Sequence, residues 1–421
     1  MAIAEFRTLA QESVRPELAA FRVPRFELSI DGVSPRHGVL RDIIDVTYRD
    51  NLDQIDGFDL TVANWDAARR RYKYIGSEDA QSAQDADLHE LETLFEPCSR
   101  SVSLKMGYSD ELLEMMVGSF TSMEPSFTTG GPHTLAVRGL NRLHRMRRKK
   151  YDENWPKRPQ TTVTDSQIAR YFDGLTDPEW RHAGQDARRI PMPVRTNEEA
   201  AAQEPGLVFV GQKNEYDIDF LWRRARIRGY VLTVRRDRPT DPEYLYFGPS
   251  LENGPVPYRL NWGSGLMDLK ATLTTANQVK KVTVRGWDRA AQRPIEESAD
   301  LTDPRFLRLN PRLLNIVAGC DPREERVVTR PVATPEEARG LALAILTGQA
   351  QDLVKVQASV VGLPQLRAGS RVQIGGVGSR LSGEYFVTES THTINSSGYI
   401  TKFSARREDP DSGEAITGGP A

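Results

Sequence analysis

"TLAVRGLNRLH" occupies residues 134–144 and "KVTVRGWDRAA" occupies residues 281–291. Each is a short apolar alternation that runs into Val-Arg-Gly, a bulky apolar residue and then Asn or Asp. A strand end spelled twice in one chain points to a duplicated β domain or to a shared turn type. A second echo favours duplication. "SRSVSLKMGY" (99–108) can be laid beside "GSRVQIGGVG" (369–378), and each leads to a further strand, "VGSFTSMEPSF" or "GEYFVTESTHTI".

Period-two alternation carries the β reading outward from these motifs. Phe26, Leu28 and Ile30 share one face of "FELSIDG", and the Asp-Gly that follows is a hairpin signal. The pattern recurs with Phe58, Leu60 and Val62, with Val102, Leu104, Met106 and Tyr108, and with Leu135 and Val137. Short strands separated by turn residues predict an antiparallel barrel or sandwich over residues 21–145, after a polar N-terminal arm at 1–20.

Residues 146–232 read as α/β. Ile168, Phe172 and Leu175 stand at helical spacing behind Asp165 as cap, which predicts a helix near 165–175. Ile218, Leu221, Trp222 and Ala225 predict a second near 215–228, with Gly229 as its stop. From 233 to 408 the β signal resumes as a second such domain, split by a helix near 335–347 with Thr334 as cap, Pro335 at the first position, Glu337 completing a capping box and Gly348 as stop. A tail follows at 409–421. The fold class expected from the residues is therefore α+β, β-dominated: two related antiparallel β domains, barrels or sandwiches, with an intervening α/β region.

Composition narrows the function classes. A net charge of -2 argues against a dedicated nucleic-acid binder. No apolar run approaches the length of a membrane span, and the N-terminus has early charges rather than a secretory pattern. Two cysteines, Cys98 and Cys320, are too few for a disulfide scaffold or a structural zinc site, as expected of a protein folded in a reducing cytoplasm.

Chemistry-bearing motifs are absent. His37, His89, His133, His144, His182 and His392 form no metal-ligand spacing. "WGSGLM" lacks the nucleophile-elbow pattern, and "GGVGSRLSG" lacks the third glycine and the lysine of phosphate loops. The basic run "RLHRMRRKK" (142–150) and the cluster Arg223, Arg224, Arg226 and Arg228 have no interleaved aromatics, and read as a solvated face or a salt-bridged interface. No catalytic, cofactor-binding or metal-ligating residues are expected.

The chain resembles the phage late control D family, the baseplate hub proteins of contractile tails and contractile injection systems, whose plan the hub half of VgrG spike proteins shares. The resemblance rests on "GFDLTVANWD", on "VSLKMGY" with the strands after it, on "QKNEYDIDFLWRRARIRGY" (212–230), on "VTVRGWD" and on "GLPQLRAGSRVQIGGVG" with the two C-terminal strands "GEYFVTESTHTI" and "GYITKF". Within 212–230 the family positions are Gln212, Asp217, Phe220, Leu221, Arg223, Gly229 and Tyr230. The resemblance implies two related, tube-type β-barrel domains per chain and a non-enzymatic homotrimer, a six-barrelled ring that adapts a sixfold inner tube above to a threefold spike below. It implies contacts with baseplate wedge or adaptor proteins, and a lumen with room for cargo or a tape-measure protein. It implies no cofactor. It also implies assembly in the cytoplasm into the baseplate of a phage tail or tail-like particle, with release of that particle from the cell. Val137, Arg138, Gly139 and Asn141 would then be barrel positions equivalent to Val284, Arg285, Gly286 and Asp288, with the glycines allowing a tight exit and Asn141 and Asp288 satisfying turn backbone. Asn141 stands where the family pattern has Asp. The chain ends soon after the second barrel, so the expectation is a hub alone, with the spike supplied by a separate protein. The alternatives are a VgrG-like secreted spike or effector carrier lacking its needle, and a tail-tip cell-wall hydrolase.

Overall fold

The computed structural model describes residues 7–8, 23–76, 86–109, 111–157, 162–173, 190, 192–237, 241–250, 258–289, 291–303, 311–319, 323–330 and 332–408. The expected tail, and the expected arm apart from a two-residue ladder at Arg7–Thr8, lie outside them.

Six strands wrap the first core: β1 (Pro24–Ile30), β2 (Ile43–Asn51), β3 (Gly57–Ala63), β4 (Ser101–Tyr108), β5 (Leu112–Ser126) and β6 (Thr134–Asn141). Their order in the sheet is β1-β4-β5-β6-β3-β2, antiparallel throughout. Short helices α1 (His37–Asp42) and α2 (Ala86–Glu92) interrupt them. The alternation read from sequence is what curls the sheet. Leu28, Leu60, Val62, Leu104, Met106, Leu135 and Val137 are fully buried along one face, each worth about 1.5–3 kcal/mol of transfer free energy.

The middle elements are β7 (Lys150–Trp155), α3 (Asp165–Tyr171), β8 (Val194–Thr196), α4 (Glu198–Ala202), β9 (Val210–Tyr216), α5 (Asp217–Arg228), β10 (Tyr230–Arg235) and β11 (Tyr244–Pro249). β7 pairs with β9, and β11 lies between β8 and β10. Two expectations change here. The cap of α3 is Thr164, not Asp165: its side chain and that of Gln167 form a reciprocal capping box. Asp165 lies inside the helix and is fully buried. And β10 and β11 do not open the second barrel, because Leu232, Leu245 and Phe247 share one core with Ile168, Phe220 and Leu221.

The second barrel begins with β12 (Tyr258–Asn261) and β13 (Leu266–Leu273). An excursion comes next: β14 (Val279–Asp288), β15 (Arg293–Asp300), α6 (Pro311–Gly319), β16 (Arg323–Val327) and α7 (Pro335–Gln351). Its strands form a separate sheet, β15-β14-β16, against which α7 packs Ala338, Leu341, Ala342 and Leu346. The barrel resumes with β17 (Val354–Val361), β18 (Arg371–Gly375), β19 (Gly383–Asn395) and β20 (Gly398–Arg407). The insertion is thus a sheet and its helices rather than one helix. Gly348 does not stop α7, which runs on to Gln351 with Asp352 as its cap.

Taken in chain order, the strands of the second barrel repeat the first. Their sheet order is β12-β18-β19-β20-β17-β13, the first barrel's order position for position. Two irregularities match as well, although the shift between Leu104 and Lys105 of β4 against β5 has no counterpart between β18 and β19. β2 bulges between Ile43 and Asp45 against β3, and β13 bulges between Leu266 and Asp268 against β17. The bulged residue is an exposed apolar one in both, Ile44 and Met267. β5 slips between Phe120 and Ser122 against β6, and β19 slips between Val387 and Glu389 against β20. Carrying these ladders across makes Ser101 equivalent to Arg371 and Val102 to Val372, the alignment that "SRSVSLKMGY" and "GSRVQIGGVG" predict. One strand departs: β12 runs parallel to β18, whereas β1 is antiparallel to β4.

The Val-Arg-Gly echo is a different matter. Residues 134–141 form β6 of the first barrel, but residues 284–288 end β14, in the inserted sheet. The strand equivalent to β6 is β20. The two stretches share a composition because each packs a glycine within a strand against a bulky neighbour, Phe58 or Val332, not because they occupy equivalent positions.

Candidate functional site

The two barrels are joined by one strand. β19 gives residues 383–386 to β18 and its other edge to β20, and then residues 389–394 pair antiparallel with residues 46–51 of β2. One continuous sheet therefore passes from barrel to barrel.

Strand periodicity turns Val46, Tyr48 and Asp50 inward from β2 and Ser390, His392 and Ile394 inward from β19, and all six are buried. Four of these are polar, so each needs a partner. Asp50 accepts from Nε of Arg367, from the Ser390 hydroxyl and from the Ala368 amide at 3.2 Å. Arg367 also donates to the Tyr48 hydroxyl, and its guanidinium lies 4.5 Å from that ring's centroid. His392 Nε2 is 3.0 Å from Ser390 Oγ and 3.1 Å from the Leu366 carbonyl. Its Nδ1 is 3.0 Å from the Tyr399 hydroxyl and 3.1 Å from that of Thr401. The carbonyl can only accept and Ser390 has given its proton to Asp50, so Nε2 carries a hydrogen, while the two hydroxyls at Nδ1 can donate to it.

Electrostatics follow burial. Desolvation pushes His392 down to about 4, with Arg367 acting in the same direction and Asp50 against it. Burial, and then the charge of Asp50, raise nearby Asp56 to about 8. Burial lowers the Arg367 pKa, but Tyr48, Asp50 and Asp56 outweigh it and hold the guanidinium charged. The network is almost wholly buried, with the Arg367 side chain partly exposed. A buried network whose members are so partnered favours one register between β2 and β19. Tyr108 of β4 adds a further tie, donating to the Gly362 carbonyl at 2.8 Å and packing 5.7 Å from the Tyr399 ring.

The middle elements brace both barrels. Arg236 bridges Glu243 at 2.9 Å and Glu114 of β5 at 2.6 Å, and Arg226 meets Asp53 at 2.9 Å. On the other side, Ser250 donates to Glu408 at 2.7 Å. Gly229, left-handed at φ 70, ends α5 beside Ala344 of α7.

The residues around α5 that carry the sequence resemblance pack into their own neighbourhood. Gln212 donates to Asp217 at 2.7 Å, and Phe220 and Leu221 are fully buried. Arg223 forks onto Glu215 with two contacts of 2.9 Å, and Tyr230 opens β10 against the Phe247 ring. The basic cluster is spent on pairing: besides Arg223 and Arg226, Arg224 and Arg228 both donate to the buried Asp165, at 2.6 and 2.5 Å.

In the first Val-Arg-Gly stretch Val137 is buried, Arg138 pairs with Asp59 at 3.2 Å, and Gly139 leaves room for Phe58, whose ring would lie 2.3 Å from an added Cβ. Asn141 accepts from the Leu143 amide and donates to Asp56, both at 2.9 Å. In the second, Val284 is buried, Arg285 pairs with Glu296 at 2.8 Å, Gly286 faces Val332, and Asp288 accepts from the Ala291 amide at 3.0 Å. Neither glycine has a positive φ, so each is a close-packing position within a strand and not a tight exit.

Sequence reading missed the junction. Asp50, Tyr48, Arg367 and His392 carry it, and β2 went unrecognised because Asp50 interrupts its inward stripe. The available signal was a histidine and a serine on the inward register of "STHTI".

The overall fold is similar to that of solved tail proteins. The structure matches the 43 kDa tail protein of prophage MuSo2 from Shewanella oneidensis, with a TM-score of 0.58, 16% identity and coverage of 92% of this chain and 99% of that one. It matches the tail protein from Neisseria meningitidis MC58 at a TM-score of 0.57 and 13% identity, covering 91% and 97%. A Francisella PdpA–VgrG complex, half-lidded, matches at a TM-score of 0.52 and 8% identity, covering 97% of this chain and 63% of that one. At these identities the likeness is one of fold. The family model described as the Alg8 N-terminal domain matches residues 195–396, which run from the middle elements into the second barrel. No curated protein sequence matches the chain.

Proposed function

We propose that this chain is the structural hub of a contractile tail or injection-system baseplate, of the late control D type. It works as a homotrimer whose six barrels adapt a sixfold inner tube to a separate trimeric spike. The observation that carries this reading is the edge-to-edge union of two barrels with one strand order. A chain that presents the same shape twice doubles the symmetry of any ring it forms, so three copies present six similar faces. The shared fold with two tail proteins supports the same reading. The role is non-enzymatic. The partners are the inner tube protein, the spike, wedge or adaptor proteins and a cargo or tape-measure protein in the lumen, all within the baseplate of a phage tail or tail-like particle.

The fold likeness to VgrG supports a second reading, a VgrG-like effector carrier that lacks its needle. Native mass measured across concentrations, with and without a candidate spike protein, tests the hub. A mass near three times 47.3 kDa is expected, together with co-elution of the spike. A chain that stays monomeric in both conditions sinks the reading, and a trimer that ignores every separate spike favours the carrier.

A further inference from the structure

The junction inside the chain is a template for the contact between chains. β2 meets the far half of β19; the equivalent of β2 is β13, and the equivalent of β19 is β5. Neither β13 nor the far half of β5 has a second partner among the described residues. Among the described residues β13 pairs in a ladder with β17 alone, and residues 121–126 of β5 pair only with β6. Both are open edges of the kind that recruit another strand.

Transferring the register sharpens this. Through the matched bulges, Val46, Tyr48 and Asp50 correspond to Leu269, Ala271 and Leu273. Ser390, His392 and Ile394 correspond to Met123, Pro125 and Phe127. The intrachain pairs Asp50–Ser390, Tyr48–His392 and Val46–Ile394 become Leu273–Met123, Ala271–Pro125 and Leu269–Phe127. Every polar position of the buried network is apolar in the transferred pairing. These positions are buried at the intrachain junction, yet Leu273 stands 38% exposed and Phe127 57% exposed. On the outward register Lys270 falls opposite Ser126 and diagonal to Glu124, where opposite charges attract.

We propose that β13 of one copy adds antiparallel to residues 122–127 of the next, in this register, and that three such seams close the ring. The proposal rests on the trimeric reading above and names its contact. The seam is heterologous, one edge meeting a different edge, so it closes as a trimer only if the rotation from one copy to the next is one third of a turn. Junction and seam carrying matching bulges would divide that turn into two similar steps. Pro125 offers no N–H, so the seam has one donor fewer than an unbroken ladder; strand prolines occur where that side of the backbone faces an open edge.

The test is a disulfide between Lys270→Cys and Ser126→Cys in the full chain, with Cys98 and Cys320 changed to serine. The matched pair Thr47→Cys with Thr393→Cys, whose hydroxyls lie 3.1 Å apart, is the intrachain control. Oxidation of the seam variant is expected to give a reducible covalent trimer on a denaturing gel, absent from either single variant, while the control cross-links within one chain. Leu273→Asp, a change at a half-open surface position, is expected to shift the native mass from trimer to monomer with circular dichroism unchanged. A trimeric native mass without cross-linking, in a trimer that survives Leu273→Asp, overturns the seam and leaves the hub intact. A cross-linked ladder extending past three overturns the closed ring. An unmodified chain that stays monomeric at every concentration overturns both.

Discussion

Removing the Asp50 carboxylate is the sharpest perturbation of the junction. Asp50→Ala leaves Arg367 charged, mostly buried and facing the Tyr48 hydroxyl alone, and deprives Ser390 and the Ala368 amide of their acceptor. Breaking a buried ion pair from one side costs about 3–5 kcal/mol, because the remaining charge is stranded out of water. Arg367→Met strands Asp50 instead, with two neutral donors still in place, and is expected to cost toward the lower end of that range. The double variant removes both charges. Its loss should fall short of the sum of the singles by about 0.5–3 kcal/mol, the coupling expected of contacting residues. Urea unfolding followed by circular dichroism gives the free energies. Native-state hydrogen exchange, read at the amides of 46–51 and 389–394, locates the loss without assuming that so large a chain unfolds in one step. An Asp50→Ala cost below about 1 kcal/mol, or strict additivity in the double variant, would show that the network is an ornament on a hydrophobic seam.

Other consequences are open to direct measurement. His392 is neutral in the fold and titrates freely when unfolded, so its contribution is present above pH 6.5 and is lost as pH falls toward about 4. At about 1.4 kcal/mol per pKa unit, that loss is about 3 kcal/mol. Asp56, raised to about 8, acts oppositely, gaining stability as pH falls from about 8 toward its unfolded value. The stability gap between the native chain and His392→Gln should therefore shrink by about 3 kcal/mol from pH 7 to pH 4 in urea titrations, and a constant gap refutes the assignment. Asp165→Asn weakens two buried arginine contacts and should cost several times more than Arg226→Ala, whose exposed pair is worth about 0–1 kcal/mol; equal losses in thermal melts would contradict the burial argument. Gly139→Ala drives a methyl into the Phe58 ring and should destabilise by about 1–3 kcal/mol, whereas Gly378→Ala, with nothing near its Cβ position, should show only the strain of its φ of 82.

How much of this was legible in the sequence depended on whether a residue's pattern was local. Strands with unbroken apolar alternation, such as β3 and β4, and the helix α5 with its glycine stop, announce themselves within a few residues. The duplication was legible too, but only from Ser99 to Tyr108 beside Gly369 to Gly378, where equivalent strands kept a similar apolar spacing. The Val-Arg-Gly repeat misled because a glycine under a bulky neighbour, Phe58 in one place and Val332 in the other, produces the same local spelling in unrelated sheets. The junction itself was illegible for a physical reason. Asp50 is separated from Ser390 by 340 residues, and a buried carboxylate is indistinguishable in sequence from a solvated one until its partners are known.

That separation also sets a timetable for synthesis. β2 finds its second neighbour in residues 389–394, so a growing chain can roll up its first core but must hold one edge, with Asp50 on it, unpaired while the middle elements and the inserted sheet are made. Domains emerging from the ribosome ordinarily fold in turn; here the earliest barrel is finished by one of the latest strands, and any truncation upstream of residue 389 releases a product whose bare edge is ready to pair with the wrong chain.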